Sequence, residues 1–551
     1  MKRYACRAIS LALCVLLAAC SGNNSQKGTS TVTITAGGTT TQNTAVPQAA
    51  RRAAARLFSA DARVSLVQKL VFTISGPGMN EISREVSFSP LVAVTEEFEV
   101  PTGAARHFVV EGRDSGGTTQ YRGSATGDLD GHKVTLALLM MPTFFMGTVQ
   151  AGTPGNDEGS GIARDVDGNL YIVGNTYGLM SAASNSNAGY SDVFVTKYDK
   201  TGLWQWSSQL GTAGPDFGYG ITVDSRGNAY VTGGTPTGLD GNTSNGGVDA
   251  FVVKFDTDGR KLWTRQLGTA GNDFGTRIAD DKNGSLYITG YTDGAFTGFT
   301  NAGLYDAFVI KLASATGATQ WTQQFGSAGN DDGSGLAVDA AGSVYAAGYT
   351  DGDLGGTNAG WTDVFAVKLD PATGALLWKR QFGSSESEDL SGLAVDGSGN
   401  LYLVGSTYGD LVANGNADAT FMTSDAYVVK YGADGTRVWT KQFGTTVNDW
   451  ATGVAVDGSG NIYVSGNTFG ILGTENAGAI DFFLTKFDPT GTKAWTSQLG
   501  TSLDDLATGL TVDSSGNAWL TGSTGSGLDG NISIGGTDMF LVMYDTSGVK
   551  Q

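Results

Sequence analysis

Seven carboxylates recur at one position of a repeating pattern, Asp157, Asp216, Asp273, Asp331, Glu388, Asp449 and Asp505, each closing a Gly-Thr/Ser-x-x-x-Asp/Glu opening. Gathered at one end of a ring, such acids would offer hard oxygen ligands to a cation, and that chemistry suits Ca²⁺. The structural reading is that each acid accepts backbone N–H bonds in its own turn or from the next blade. It is favoured, because a binding site breaks the symmetry of its scaffold whereas structural residues repeat with it. A second set, Asp165, Asp224, Asp281, Asp339, Asp396, Asp457 and Asp513, precedes short Gly-Asn or Gly-Ser turns. Its first member opens Asp165-Val-Asp167-Gly168-Asn169, a fragment of a calcium-loop pattern that lacks the later ligands and the closing glutamate.

A third set of acids, Asp192, Asp249, Asp306, Asp363, Asp425, Asp481 and Asp538, starts apolar runs. Within six of those runs stands a lysine (Lys197, Lys254, Lys311, Lys368, Lys430, Lys486), replaced by Met543 in the last, which predicts an ion pair between neighbouring units and a repeated aspartate. Trp206, Trp263, Trp321, Trp378, Trp439 and Trp495 close six units and are read as structural packing residues, a sugar platform being the alternative. The only histidines, His107 and His132, and the only cysteines, Cys6, Cys14 and Cys20, all precede the repeats. Ser-His-Asp hydrolysis, thiol catalysis and most zinc sites are thereby removed from the repeat region, and the protein is expected not to be an enzyme. A carboxylate-based hydrolase would need two non-repeated acids converging in one pocket, and the linear sequence displays no such pair.

The elements that must position these residues follow from the repeat itself, about 58 residues long and present seven times. The sixth copy shows its parts: Gly453–Asp457, a Gly458-Ser-Gly-Asn461 turn, Ile462–Thr468, a loop, Asp481–Phe487, a Pro489-Thr-Gly491 turn, and Lys493–Leu499. Short runs of Val, Ile, Phe and Tyr between Gly, Asn, Asp and Pro are strand and turn signals. Four such strands make an antiparallel meander, and seven meanders can bury their faces by packing radially around a channel. The seventh copy ends one strand short at Gln551, while Thr143–Gln150 stands directly before the first copy with Gln150 in register with Gln209, Gln266 and Gln498. A seven-bladed β-propeller over 143–551, its last blade closed by an N-terminal strand, is the predicted architecture.

The stretches GTAGNDFG, VDGSGNIYVSGNT and DFFLTKFD resemble the SBBP, or seven-bladed β-propeller, repeat family. That resemblance covers roughly residues 143–551 and implies the fold without implying one activity. Asp370-Pro-Ala-Thr-Gly-Ala-Leu-Leu-Trp378 also resembles the repeat of quinoprotein propellers and of the lipoprotein in the outer-membrane barrel-assembly machine. Those propellers usually have eight blades, and a quinoprotein dehydrogenase would be expected to carry a vicinal disulfide.

Lys2, Arg3 and Arg7 precede an apolar run from Ile9 to Ala19 that is too short to span a bilayer and reads as an export signal, 1–19. Leu17-Ala18-Ala19-Cys20 matches the bacterial lipoprotein signal, whose cysteine is acylated. Ser21 after it implies an outer-membrane lipoprotein facing the periplasm or the cell surface. Without residues 1–19 the chain holds 31 basic and 53 acidic residues, a formal −22, which disfavours nucleic acid. Residues 20–58 read as acylated cysteine and flexible tether, in which the polar stretch from Ser21 to about Ala50 would have a root-mean-square span of roughly 30 Å. Alternating runs such as Leu70–Ser75 and His107–Val110 predict an immunoglobulin- or fibronectin-like β-sandwich over 59–142.

Function is expected where the copies differ. The loops Leu179–Ser191 and Asp410–Ser424 are longer than their equivalents, and Tyr177, Tyr190, Phe296, Tyr305, Trp361, Tyr408 and Phe421 fall in the same region of the repeat. Variable loops on a rigid ring normally carry specificity. The reading is a non-enzymatic envelope module that binds a protein or glycan, with an assembly-type propeller or a carboxylate- or quinone-dependent enzyme as alternatives.

Overall fold

A computed structural model describes residues 29–36, 69–87, 94–113, 119–129, 134–138, 141–142, 147–180, 189–412 and 423–551. Two compact units divide between Met146 and Gly147. In the first, Val94–Pro101, Thr29–Ala36 and Val134–Leu138 form one sheet in that order. A second sheet orders Ile82–Ser87, Lys69–Ser75, Gly103–Arg113, Thr119–Leu129 and Met141–Pro142. Leu70, Phe72 and Ile74 are buried at alternate positions, and Phe72 meets Phe98 of the other sheet at 5.8 Å, so the inner faces form one small core. The stretch read as a tether is thus not structureless throughout. Thr31-Val-Thr-Ile-Thr35 alternates β-branched residues, and its strand pairs antiparallel with Val94–Pro101 and parallel with Val134–Leu138. Cys20 and the rest of 20–58 lie outside the described residues.

The second unit is seven four-stranded antiparallel sheets, a seven-bladed propeller, with blades at 157–210, 217–267, 273–325, 331–382, 388–443, 449–499 and 505–544. First strands of successive blades touch all the way round, Asp505–Val512 returning to Asp157–Arg164, so they line the channel. The second and third strands are enclosed on both faces and read as unbroken apolar runs, as in Asp481–Phe487.

Blade seven is completed by Val149–Ala151, which pairs with Leu541, Phe540 and Met539. Its outer strand is composite. Lys550 bridges Tyr544 as Lys493 pairs Phe487, and Val149 pairs Leu541 as Ser497 pairs Leu484, so Gln551 and Gly147 fall at successive positions of one strand. Asp529 binds both ends of the split, Thr148 and Lys550, just as Asp240 binds Thr264 and Lys261 on the intact strand of blade two.

Six regular junctions share one device. A tyrosine of the second strand packs on the tryptophan of its own blade with centroids 5.8–6.2 Å apart. The tryptophan lies under a left-handed glycine of the next blade's turn. At Gly259 a Cβ would stand 2.6 Å from Trp206, which is why glycine is needed there. The repeated lysine does not form the expected ion pair with a repeated aspartate. Its ammonium sits 4.9–5.4 Å over the tyrosine ring. Where a hydrogen bond forms it goes to the next blade's turn carbonyl, as from Lys311 to Pro371 at 2.8 Å. A backbone carbonyl and a ring face accept the charge there because the facing turn presents its carbonyl inward. At the seam between blades seven and one, Trp519, Met543 and Gly147 replace tyrosine, lysine and tryptophan, and the cation comes from the opposite side, Arg164 stacking 5.3 Å over Trp519.

Candidate functional site

The seven repeated acids are built into the blade junctions. Each is 0% exposed. Each carboxylate accepts the N–H and hydroxyl of the Thr or Ser four residues earlier, Thr153 to Asp157 and Ser384 to Glu388 among them. The acid's own N–H donates to the preceding blade, from Asp449 to Ser424 at 2.7 Å for instance. Burial raises all seven carboxyls above the usual range, against the lowering effect of these hydrogen bonds. The third-strand aspartate of the preceding blade adds like charge, Asp538 acting on Asp157 and Asp363 on Glu388. That aspartate is held by the repeated glutamine of the fourth strand, Asp538 by Gln150 at 2.8 Å and Asp425 by Gln442 at 2.9 Å.

These acids accept hydrogen bonds within their own junctions, the favoured reading, and do not form the alternative cation ring at the channel mouth. Each is enclosed in its own junction, and no point among the described residues gathers three His, Cys, Asp or Glu groups in metal-binding geometry. The second set of acids closes turns: Asp165 accepts from the N–H groups of Asp167 and Asn169 and from the Asn169 amide.

One residue further along the same strands the repetition stops. The successive positions hold Glu158, Phe217, Phe274, Asp332, Asp389, Trp450 and Leu506. Side chains alternate along a strand, so residues next to junction acids point away from the junction. Groups from four blades feel one another here: Tyr291 senses Asp332 and Tyr219, and Tyr349 senses Asp332, Asp389 and Tyr291. The first strands, which carry Tyr219, Asp332 and Asp389, line the channel. Two non-repeated acids, Asp332 and Asp389, stand at the same register position of successive blades four and five.

Burial raises the Asp332 carboxyl, with the Tyr349 hydroxyl opposing that rise and Asp331, Asp351 and Asp389 adding to it, whereas Asp389 is an exposed residue. Tyr349 donates to Asp332 Oδ2, and Asp332 Oδ1 is enclosed without a partner. Beside them Tyr291 lies 5.0 Å from Phe274 and edge-on to Tyr305 at 5.4 Å.

Deeper in the channel a second position breaks pattern. Every first strand bulges, and the residue after the bulge is Gly161, Gly220, Gly335, Gly392, Gly453 or Gly509, except for Arg277. Its guanidinium donates to Thr276 O at 2.9 Å and to Ser391 O of blade five at 3.0 Å. Arg277 thus bridges two blades past its own, and desolvation lowers its pKa.

Strand order puts the second-to-third-strand loops and the interblade connections on the mouth face. Of the loop aromatics, Tyr177, Tyr190, Trp361 and Tyr408 are exposed there. Phe296 instead packs edge-on against buried Phe308 at 5.2 Å, and Tyr305 belongs to the mouth through Tyr291. Phe421 lies outside the described residues, as do the centres of both long loops. Leu304, Val447, Phe469, Ile471, Leu503, Ile532 and Ile534 extend the exposed apolar surface of this face. Sequence reading missed Asp332, Asp389, Arg277, Tyr291 and Tyr349.

The SBBP beta-propeller repeat model matches residues 147–179, 205–235, 262–297, 320–355, 377–411, 438–473 and 494–529. The regulatory protein FlaEY of Caulobacter vibrioides is 27% identical over 366 residues, 58% of this chain and 38% of that protein. An uncharacterized WD repeat-containing protein of Acanthamoeba polyphaga mimivirus is 26% identical over 438 residues, 61% of this chain and 31% of that protein. The chain thus spans between 31% and 38% of the length of these curated relatives. The quinohemoprotein alcohol dehydrogenase of Comamonas testosteroni aligns at 12% identity and TM-score 0.38, covering 82% of this chain and 74% of that one.

Proposed function

The chain belongs to the SBBP beta-propeller repeat family, and on that premise we propose that it is a non-enzymatic binding scaffold of the cell envelope, held by a lipid on Cys20 and docking a protein partner on the mouth face of its propeller. One observation carries this reading: what repeats is buried in junctions, while the residues that differ between blades cluster around the mouth amid exposed Tyr177, Tyr190, Trp361, Tyr408, Ile471 and Ile532. Contiguous apolar surface rimmed by polar loops marks interaction sites. Capture of partners from intact cells by the lipidated protein, compared with a variant carrying Ser at Tyr190, Trp361 and Tyr408, tests it. Partners should be lost, and an unchanged set would overturn the docking face. Metabolic labelling with palmitate, absent in Cys20→Ser, tests the anchor.

A carboxylate-based glycan hydrolase or lyase is the second reading, with the non-repeated acids Asp332 and Asp389 as its candidates. Glycan cleavage that disappears in both Asp332→Asn and Asp389→Asn would replace the binding-only reading with that one.

A further inference from the structure

We propose that Asn283-Gly284, in the turn between Asp273–Asp280 and Ser285–Thr292 of blade three, is a site of spontaneous modification. The Asn283 side chain cyclises onto the Gly284 nitrogen, and hydrolysis leaves an isoaspartate or aspartate that loosens the junction with blade two. No other blade places asparagine before the glycine of this turn.

The six equivalent turns commit their glycine N–H. Gly168, Gly227, Gly342, Gly399, Gly460 and Gly516 each donate to the carbonyl of the turn aspartate at 2.9–3.1 Å. In blade three Lys282 takes the left-handed conformation, φ 59°, and the Gly284 N–H makes no corresponding bond. Its nitrogen is free to react. Asn283 and Gly284 are exposed, and a Cβ at Gly284 would meet nothing within 4 Å. The Asn283 side chain has no hydrogen-bond partner among the described residues; only its backbone N–H is held, by Asp281 at 2.8 Å. Glycine puts no side chain in the way of ring closure.

Water is the one reagent required. A bond forms between the Gly284 nitrogen and Asn283 Cγ, the nitrogen loses its proton, and the Cγ–Nδ2 bond breaks to release ammonia. Water then opens the cyclic imide: cleavage at the main-chain carbonyl gives isoaspartate, and cleavage at Cγ gives aspartate. Either product puts a new carboxylate beside Asp280 and Asp281, and isoaspartate also adds a methylene to the main chain.

That turn supports the junction with blade two. Gly284 O accepts the Ser314 N–H at 2.9 Å, and Ser314 O accepts Lys254 Nζ at 3.2 Å and the Tyr230 hydroxyl at 3.4 Å. Lys282 reaches Val223 O of blade two directly. A lengthened main chain at Asn283 displaces the Gly284 carbonyl and weakens this series of bonds.

Asn245-Gly246 supplies the internal contrast. It is also exposed, but a Cβ at Gly246 would stand 2.4 Å from the Ala270 carbonyl carbon. The flanking N–H groups of Asn245 and Gly247 donate to Asp249 and Gly271. Wedged against the connection to blade three, that peptide turns toward its asparagine only after local opening.

Peptide mapping by mass spectrometry follows both pairs in the full chain held at mildly alkaline pH. Asn283 should convert about tenfold or more faster than Asn245 in the folded protein, and the two rates should converge in urea. Equal rates in the folded chain, or a faster Asn245, would overturn the site. A difference that persists in urea would trace it to local sequence and overturn it as well. Hydrogen exchange at Ser314 should quicken in converted wild type but not in Asn283→Gln, whose longer side chain closes a ring far more slowly. Exchange that stays unchanged after full conversion would overturn the loosening of the junction.

Discussion

Glu388 and Asp389 are adjacent acids on one strand with opposite duties. Glu388 is wholly enclosed and saturated by Ser384 and Thr407, in a junction that six other blades reproduce. Asp389 faces the mouth, where its counterparts include phenylalanine, tryptophan and leucine. A strand turns successive side chains to opposite sides, so one residue of displacement moves a carboxylate from a place that occurs seven times to a place that occurs once. Seven junctions impose the same hydrogen-bonding demand and select the same residue. One mouth, shared by all blades, leaves each blade free to contribute something different.

The most severe way to break this contrast is to cut each ring in turn. Asp449→Ala strands the Thr445 N–H and hydroxyl in an enclosed site, and should lower unfolding free energy by about 3 kcal/mol. Asp389→Asn, in the mouth, should change it by about 0.5 kcal/mol or less. Urea midpoints of the full chain measure both. Similar losses would mean that the two rings differ only in sequence.

The repeated half of this contrast was legible because repetition carries its own register. The blades, the closing strand and the register of Gln150 with Gln209, Gln266 and Gln498 all follow from aligning the copies. Asp332, Asp389 and Arg277 stood in the same alignment as departures from it, but an alignment has no channel. That blades three, four and five bring them to one channel is a property of ring closure, which sequence spacing does not express. Loop length points to Tyr190 and Trp361, which are exposed, and equally to Phe296, which is packed against Phe308. The strand Thr29–Ala36 was hidden for a related reason: its partners lie some sixty and a hundred residues downstream, and its Thr-rich composition reads as linker.

A milder cut sharpens the comparison at the joint. Gln150 holds Asp538, Ser526 O and the Leu528 N–H, as Gln442 holds Asp425, Gly409 O and the Leu411 N–H on an uninterrupted strand. Both glutamine-to-alanine changes should lose about 1–2 kcal/mol. Only Gln150→Ala should also speed hydrogen exchange at Met539–Leu541, because only there does the outer strand belong to a distant part of the chain. Equal exchange in the two variants would make the composite strand as secure as a continuous one.

The two kinds of buried carboxylate also separate by pH. Junction acids are raised above 3.8 by burial, so the folded state binds protons more readily than the unfolded one. Their contribution is fully present below the unfolded value and is lost as pH rises through the raised folded value. At turn aspartates such as Asp224, burial would raise the carboxyl, but hydrogen bonds from Asn228, Arg226 N–H and Tyr230 together outweigh it and lower the pKa. Stabilisation from these is present above the unfolded value and is lost as pH falls through the lowered folded value. Urea midpoints should therefore hold or rise from about pH 7 to about pH 5 and fall below about pH 4. Asp449→Asn should flatten the upper part of that profile while leaving the acid limb in place.

The smallest effect tests whether a repeated residue is always an indispensable one. Lys430 lies 5.1 Å over Tyr402, and its seventh-copy counterpart is Met543 beside Trp519. The seam compensates by sending Arg164 onto Trp519 from the other blade, so the interaction survives with its charge reversed in origin. Lys430→Met without such compensation should lose about 0.5–1 kcal/mol, the range of a partly exposed cation–π contact. Arg164→Met at the seam should lose a similar amount. If the regular junction tolerates methionine at no cost while the seam does not, then Arg164 is needed specifically to close the ring where tryptophan and lysine are both missing.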